Sequence, residues 1–70
     1  MKIYELEAII NKDTILHKNF VTREKANKYL EKILSEYNLN VEDIIYKNDV
    51  HHQEFVCNDY NRITINRVSL

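Results

Sequence analysis

Seventy residues without a single glycine or proline leave a chain few ways to reverse direction. Glycine is the default wherever φ must be positive, and proline pre-sets the φ of common turns. Every turn here has to be made by Asn, Asp, Lys or Tyr. Asn and Asp visit left-handed backbone more readily than other non-glycine residues. The same absence removes whole classes of chemistry. A phosphate-cradling P-loop, a dinucleotide GxGxxG turn and a GxSxG nucleophile elbow all need residues without a Cβ at fixed positions. Nucleotide-dependent catalysis through such loops is excluded.

Size and charge narrow the class further. The length fits one domain, residues 1–70, and so short a chain has a thin stability margin. Chains of this size need staples, very regular packing or self-association. The single cysteine, Cys57, cannot close an internal disulfide. The longest apolar runs, Ala8-Ile9-Ile10, Ile44-Ile45-Tyr46 and Phe55-Val56-Cys57, are too short for a membrane span or a signal-peptide core. A cytoplasmic location is the expectation. A net charge of −1 argues against simple phosphate-backbone binding, which leaves a basic footprint. Nine Asn, nine Ile and seven Lys against three Arg suggest an A+T-rich genome, such as that of a low-GC bacterium or its phage.

Hydrophobic periodicity gives the order of elements. KIYELEAII (2–10) alternates with period two and reads as a half-buried strand. Asn11-Lys12-Asp13 turns the chain, and TILHKNFV (14–21) returns it, with Leu16 and Phe20 on one face. Thr22 is a natural N-cap for a helix over 23–37. Ala26, Leu30, Ile33, Leu34 and Tyr37 make its apolar stripe, with Tyr29 at the margin. Residues 41–47 read as one or two further helical turns, capped by Asn40 and stapled by Leu39 on Ile44. A strand through VEDIIY is the competing reading. HHQEFVC (51–57) and RITINRV (62–68) form a second hairpin, turned by Asn58-Asp59-Tyr60-Asn61. The fold class is therefore α+β, a two-layer β-β-α-(short α)-β-β domain with one long helix on one face of an antiparallel sheet.

Candidate chemistry is sparse. His51 and His52, adjacent on a strand, point to opposite faces. His51 and Cys57 lie about 20 Å apart along it, too far for common metal coordination. Two solvent-facing histidines and a buried cysteine are the simpler reading, and no metal or cofactor is expected. Cys57 as a nucleophile would need a histidine base, and only His17 could approach it. Glu5 and Glu7 share a strand face about 6–7 Å apart, a spacing seen in hydrolase pairs. Seventy residues leave no room for a substrate cleft around them, and an enzyme is not expected. Arg23, Lys25, Lys28 and Lys32 lie along the long helix, but Glu24, Glu31 and Glu36 interleave with them, as on a solvated face.

The sheet face away from the helix carries the main functional expectation. If Tyr4, Leu6, Ala8 and Ile10 face inward, then Ile3, Ile9, Ile15 and Val21 face outward around Glu5, Glu7 and His17. Such aliphatics could join into an interaction patch, with Tyr46 and Tyr60 as exposed aromatic anchors. The sequence thus points to a small protein-binding module that self-associates or docks on another protein. A phage or mobile-element accessory protein that inhibits or redirects a host factor fits the compositional skew. The alternative is a nucleic-acid-binding module using the helix lysines and base-stacking tyrosines.

Overall fold

A computed structural model describes residues 1–47 and 51–70. Among these residues five strands and one helix follow one another as β1 (Lys2–Ile10), β2 (Asp13–Phe20), α1 (Arg23–Glu36), β3 (Asp43–Lys47), β4 (His52–Val56) and β5 (Arg62–Ser69). The strands form one antiparallel sheet in the order β2-β1-β5-β4-β3. An α+β architecture with a helix on one sheet face is therefore present. One element differs from expectation: residues 43–47 form an edge strand rather than a short helix, and the sheet has five strands.

The reason lies in what each state offers those residues. One or two helical turns carry the full nucleation cost with little propagation to offset it. Ile44, Ile45 and Tyr46 instead suit a pleated surface. The sheet supplies β4 as a partner, with Ile44 opposite Phe55 and Tyr46 opposite Gln53. The N–H of Glu42 donates to the carbonyl of Val56 at 2.8 Å, so pairing begins before the strand proper. Leu39 does not staple Ile44 but closes the end of α1.

Non-glycine residues do make the turns. Asn11 and Lys12 hold φ of 54° and 70°, the pattern of a two-residue type I′ hairpin. Asp13 belongs to β2, so this turn is one residue shorter than the sequence suggests. Asn38, at φ 53°, fills the left-handed position after α1. The N–H of Asn38 donates to Ser35 and that of Leu39 to Leu34, at 3.3 and 2.8 Å, which is a Schellman closure with asparagine in the usual glycine place. At the other end, the Thr22 hydroxyl accepts from the N–H of Lys25 at 3.2 Å and satisfies one orphan donor.

α1 lays Ala26, Leu30 and Ile33 onto Leu6 and Ala8 of β1 and Ile63 and Ile65 of β5, and these seven residues form the core cluster. Tyr4, Leu16, Phe20, Tyr29, Leu34 and Phe55 pack around it. Full burial of each Leu or Ile stabilises by roughly 1.5–3 kcal/mol. Tyr37, expected on the buried stripe, is the C-cap and lies 46% exposed. The helix covers the β1 and β2 side of the sheet, and β3 at the far edge is exposed along its whole length.

Candidate functional site

Strand register sorts the side chains into two faces, because successive residues alternate. The face away from α1 collects Ile3, Glu5, Glu7 and Ile9 from β1, His17 and Asn19 from β2, and Arg62, Thr64, Asn66 and Val68 from β5. From β4 and β3 come His52, Glu54, Val56, Asp43, Ile45 and Lys47. Its middle is polar. One row reads His17, Glu7, Thr64, Glu54 and Ile45 across all five strands.

Glu54 is the organising residue of that face and is 8% exposed. Its Oε1 lies 3.1 Å from His52 Nε2 and accepts from Lys47 Nζ at 3.3 Å, while Oε2 sits 3.7 Å from Arg62. The His52 hydrogen bond holds the carboxyl below the usual carboxylate range. Burial pulls the other way, and Lys47 and Arg62 add to the lowering. The sequence does not single out Glu54, because two of its partners come from β3 and β5. Only the register of a third hairpin brings Lys47 to it.

The residues expected to form an apolar patch are dispersed. Ile3 and Ile9 stand on the open face, separated along β1 by Glu5 and Glu7. Ile15 is the residue that the β1–β2 register skips, since Ala8 pairs with Leu16 and Ile9 with Thr14. That makes it a β-bulge residue. Val21 lies beyond the end of β2 and lines a hollow of about 580 Å³ with Met1, Lys2, Tyr4, Thr22 and Arg23. The Arg23 guanidinium in that hollow lies 5.0 Å over the Tyr4 ring and bonds to Gln53. Glu5 and His17 approach to 3.7 Å. Tyr60, in the turn between β4 and β5, carries the Lys12 ammonium 4.8 Å over its ring. Tyr46 shares the face of Gln53, on the α1 side of the sheet, and is 54% exposed.

The nucleophile and metal candidates are not brought together. β1 and β5 lie between the strand of His17 and the strand that Cys57 follows. Three strand spacings alone put the two residues at least about 14 Å apart. Cys57 is buried, and burial together with the nearby Glu42 carboxylate pushes its thiol pKa up. His51 and His52 are half-buried rather than solvent-facing: His51 bonds to Arg67 and His52 to Glu54. Among the described residues no three His, Cys, Asp or Glu side chains are grouped to hold a metal ion. Neither the hollow at Arg23 nor one of about 330 Å³ beside Tyr60 includes Glu7 or Glu54.

No family model, curated protein or solved structure matches the chain. Among the described residues no helix is long and apolar enough to cross a membrane.

What stands out is β3. It is an edge strand whose three central residues, Ile44, Ile45 and Tyr46, are 42, 37 and 54% exposed. The other edge, β2, is interrupted by its bulge and carries His17, Lys18 and Asn19. Bulges and edge lysines are the usual devices that discourage further pairing. β3 has no register shift against β4, and its charges sit only at its two ends, Asp43 and Lys47.

Proposed function

We propose that this chain is a small protein-binding module without a catalytic role, and that its docking surface is the β3 flank of the sheet. The supporting observation is the unbroken exposed run Ile44-Ile45-Tyr46 on an open edge. An extended segment added to such an edge gains main-chain hydrogen bonds, and alternate side chains give selectivity. Ile44 and Tyr46 face the α1 side beside the half-buried Phe55, whereas Ile45 faces the polar side beside Glu54. In this reading Tyr46 is the anchor, and the docking surface lies at the edge of the sheet rather than in its middle.

The alternative, nucleic-acid binding through the helix, has less support. Lys18 and Lys32 rest over the Tyr29 ring at 4.7 and 5.5 Å, and Lys32 also pairs with Glu36. These cations and this tyrosine serve each other before they serve phosphates or bases. The compositional skew supports a cytoplasmic accessory role in a phage or mobile element, inhibiting or redirecting a host protein.

Site-directed photo-cross-linking tests the docking surface. A benzophenone amino acid at Tyr46 should give a discrete protein adduct in the native host, and the same group at Glu31, on the exposed side of α1, should not. Equal labelling from both positions, or none from Tyr46, overturns this reading.

A further inference from the structure

We infer that the segment received by the β3 edge is β3 of a second copy of this chain, paired antiparallel about a two-fold axis at Ile45. The inference rests on the β3 flank being the docking surface and goes further by naming its occupant.

The strand is complementary to itself in one register. A two-fold axis perpendicular to the sheet pairs residues of like face. Centred on Ile45, it places Ile45 opposite Ile45, Ile44 opposite Tyr46 of the second copy, and Asp43 opposite Lys47 of the second copy. All five residues of β3 find a partner. Each end thus carries one opposite-charge pair, and the two pairs are the same Asp43–Lys47 contact repeated by the two-fold axis. Directly opposed side chains in an antiparallel pair have Cβ atoms about 4.5–5.5 Å apart, close enough for both kinds of contact. Moving the axis to Ile44 or Tyr46 keeps the faces matched but sets a charged residue against Ile45 or beyond the strand end. The self-pairing is therefore specific in register as well as in partner.

The surroundings of β3 fit this occupant. On the α1 side, Ile44 and Tyr46 continue outward from Phe55, where the helix no longer covers the sheet. A second copy would continue the strip with its own Tyr46, Ile44 and Phe55, giving an apolar band between two helices on the same side of a ten-stranded sheet. On the other side, Lys47 already donates to Glu54 at 3.3 Å, yet its side chain is 61% exposed. An ammonium has three donors, so it can hold Glu54 and a second carboxylate together. One Asp43 oxygen accepts from the N–H of Ile44 at 2.9 Å, which leaves the other oxygen to face a cation.

The test uses the purified full chain and its mass in solution. Light scattering across a dilution series from millimolar downward should give twice the 8.5 kDa chain mass, falling to the monomer on dilution. Asp43→Lys puts like charges opposite each other at both ends and should weaken the dimer about tenfold or more. Lys47→Asp does the same with the opposite sign, and Ile45→Lys should give monomer throughout. An equimolar mixture of the Asp43→Lys and Lys47→Asp chains restores both opposite-charge pairs and should recover the double mass. Circular dichroism confirms that each variant is folded; should Lys47→Asp unfold through its loss of Glu54, Asp43→Lys and Ile45→Lys still decide. A wild-type chain that stays monomeric at millimolar concentration overturns the self-pairing. It leaves the docking surface itself standing if Tyr46 cross-links to a different protein. A dimer indifferent to Asp43→Lys and Ile45→Lys also overturns it, because its interface then lies elsewhere.

Discussion

The side-chain oxygen of Asn61 accepts the backbone N–H of Asn11 at 2.9 Å, although 50 positions separate them in the chain. Asn61 is 8% exposed and also donates to Asn58 at 3.1 Å. The N–H of Lys12 donates to the carbonyl of Tyr60 at 3.0 Å. The turn of the first hairpin is thus clasped to the turn between β4 and β5 at one end of the sheet. Asn61→Ala would leave the Asn11 N–H unsatisfied in a part-buried site. The expected loss is about 1–3 kcal/mol, read as a lower urea midpoint with unchanged slope.

Lys12 sits at φ 70°, in the left-handed region that costs a non-glycine residue roughly 1–2 kcal/mol. Two substitutions separate the backbone from the side chain there. Lys12→Gly and Lys12→Val both lose the cation over Tyr60, but only the valine adds a β-branched Cβ at positive φ. Lys12→Val should be less stable than Lys12→Gly by about 1–2 kcal/mol or more. Equal denaturation midpoints for the two would show that the turn relaxes to another conformation.

Glu54 gives the fold an acid-sensitive element. Its carboxyl pKa is lowered in the folded state, so the stability it contributes is complete above the ordinary value of about 4.3 and disappears as pH falls through the folded-state value. Glu54→Gln should cost about 1–2 kcal/mol at neutral pH. Hydrogen bonds to charged groups set the scale, and the partial exposure of Lys47 and Arg62 trims it through solvent screening. Thermal melts from neutral pH down through the carboxylate range should show the gap closing, beginning near pH 4.3. A gap constant with pH would mean that Glu54 acts by packing alone.

Cys57 should react slowly. Its thiol is buried and its pKa raised, first by desolvation and then by Glu42, which lowers the thiolate fraction at neutral pH. Alkylation by iodoacetamide should be at least about tenfold slower than for a free thiol and should rise to the free rate in denaturant. Glu42→Gln should speed the folded-state reaction slightly, because it removes the smaller of the two causes. A folded-state rate equal to that of free cysteine would contradict the buried placement.

Much of the fold is legible locally. The period-two run of β1, the Thr22 cap with the Ala26, Leu30 and Ile33 stripe, and the clear alternation around Ile63 and Ile65 each specify an element without reference to distant residues. The Asn-rich punctuation likewise marks the turns that begin at Asn11 and at Asn58. Residues 41–47 are where local reading fails. Asn40, Glu42 and Asp43 suit a helix start, while Ile44 to Tyr46 suit a strand, and only the availability of β4 decides between them. The candidate site inherits that ambiguity. Without β3 as a strand there is no apolar Ile44-Ile45-Tyr46 edge, no Lys47 beside Glu54, and no reason to single out Ile45.

The sequence alone determined what these seventy residues lack: no glycine-dependent phosphate loop, no internal disulfide, and no apolar run long enough for a membrane helix. Those statements depend on residue types and chain lengths, which no tertiary arrangement can alter. The tertiary structure decided where the sheet ends and what its edge presents. Strand order and register are set by which hairpins find each other and by how far one helix can reach across five strands. These are long-range outcomes in which each residue's partner lies many positions away. The three adjacent side chains Ile44, Ile45 and Tyr46 therefore read as a short apolar run in the sequence, and as an exposed apolar edge only once β4 and α1 are in place.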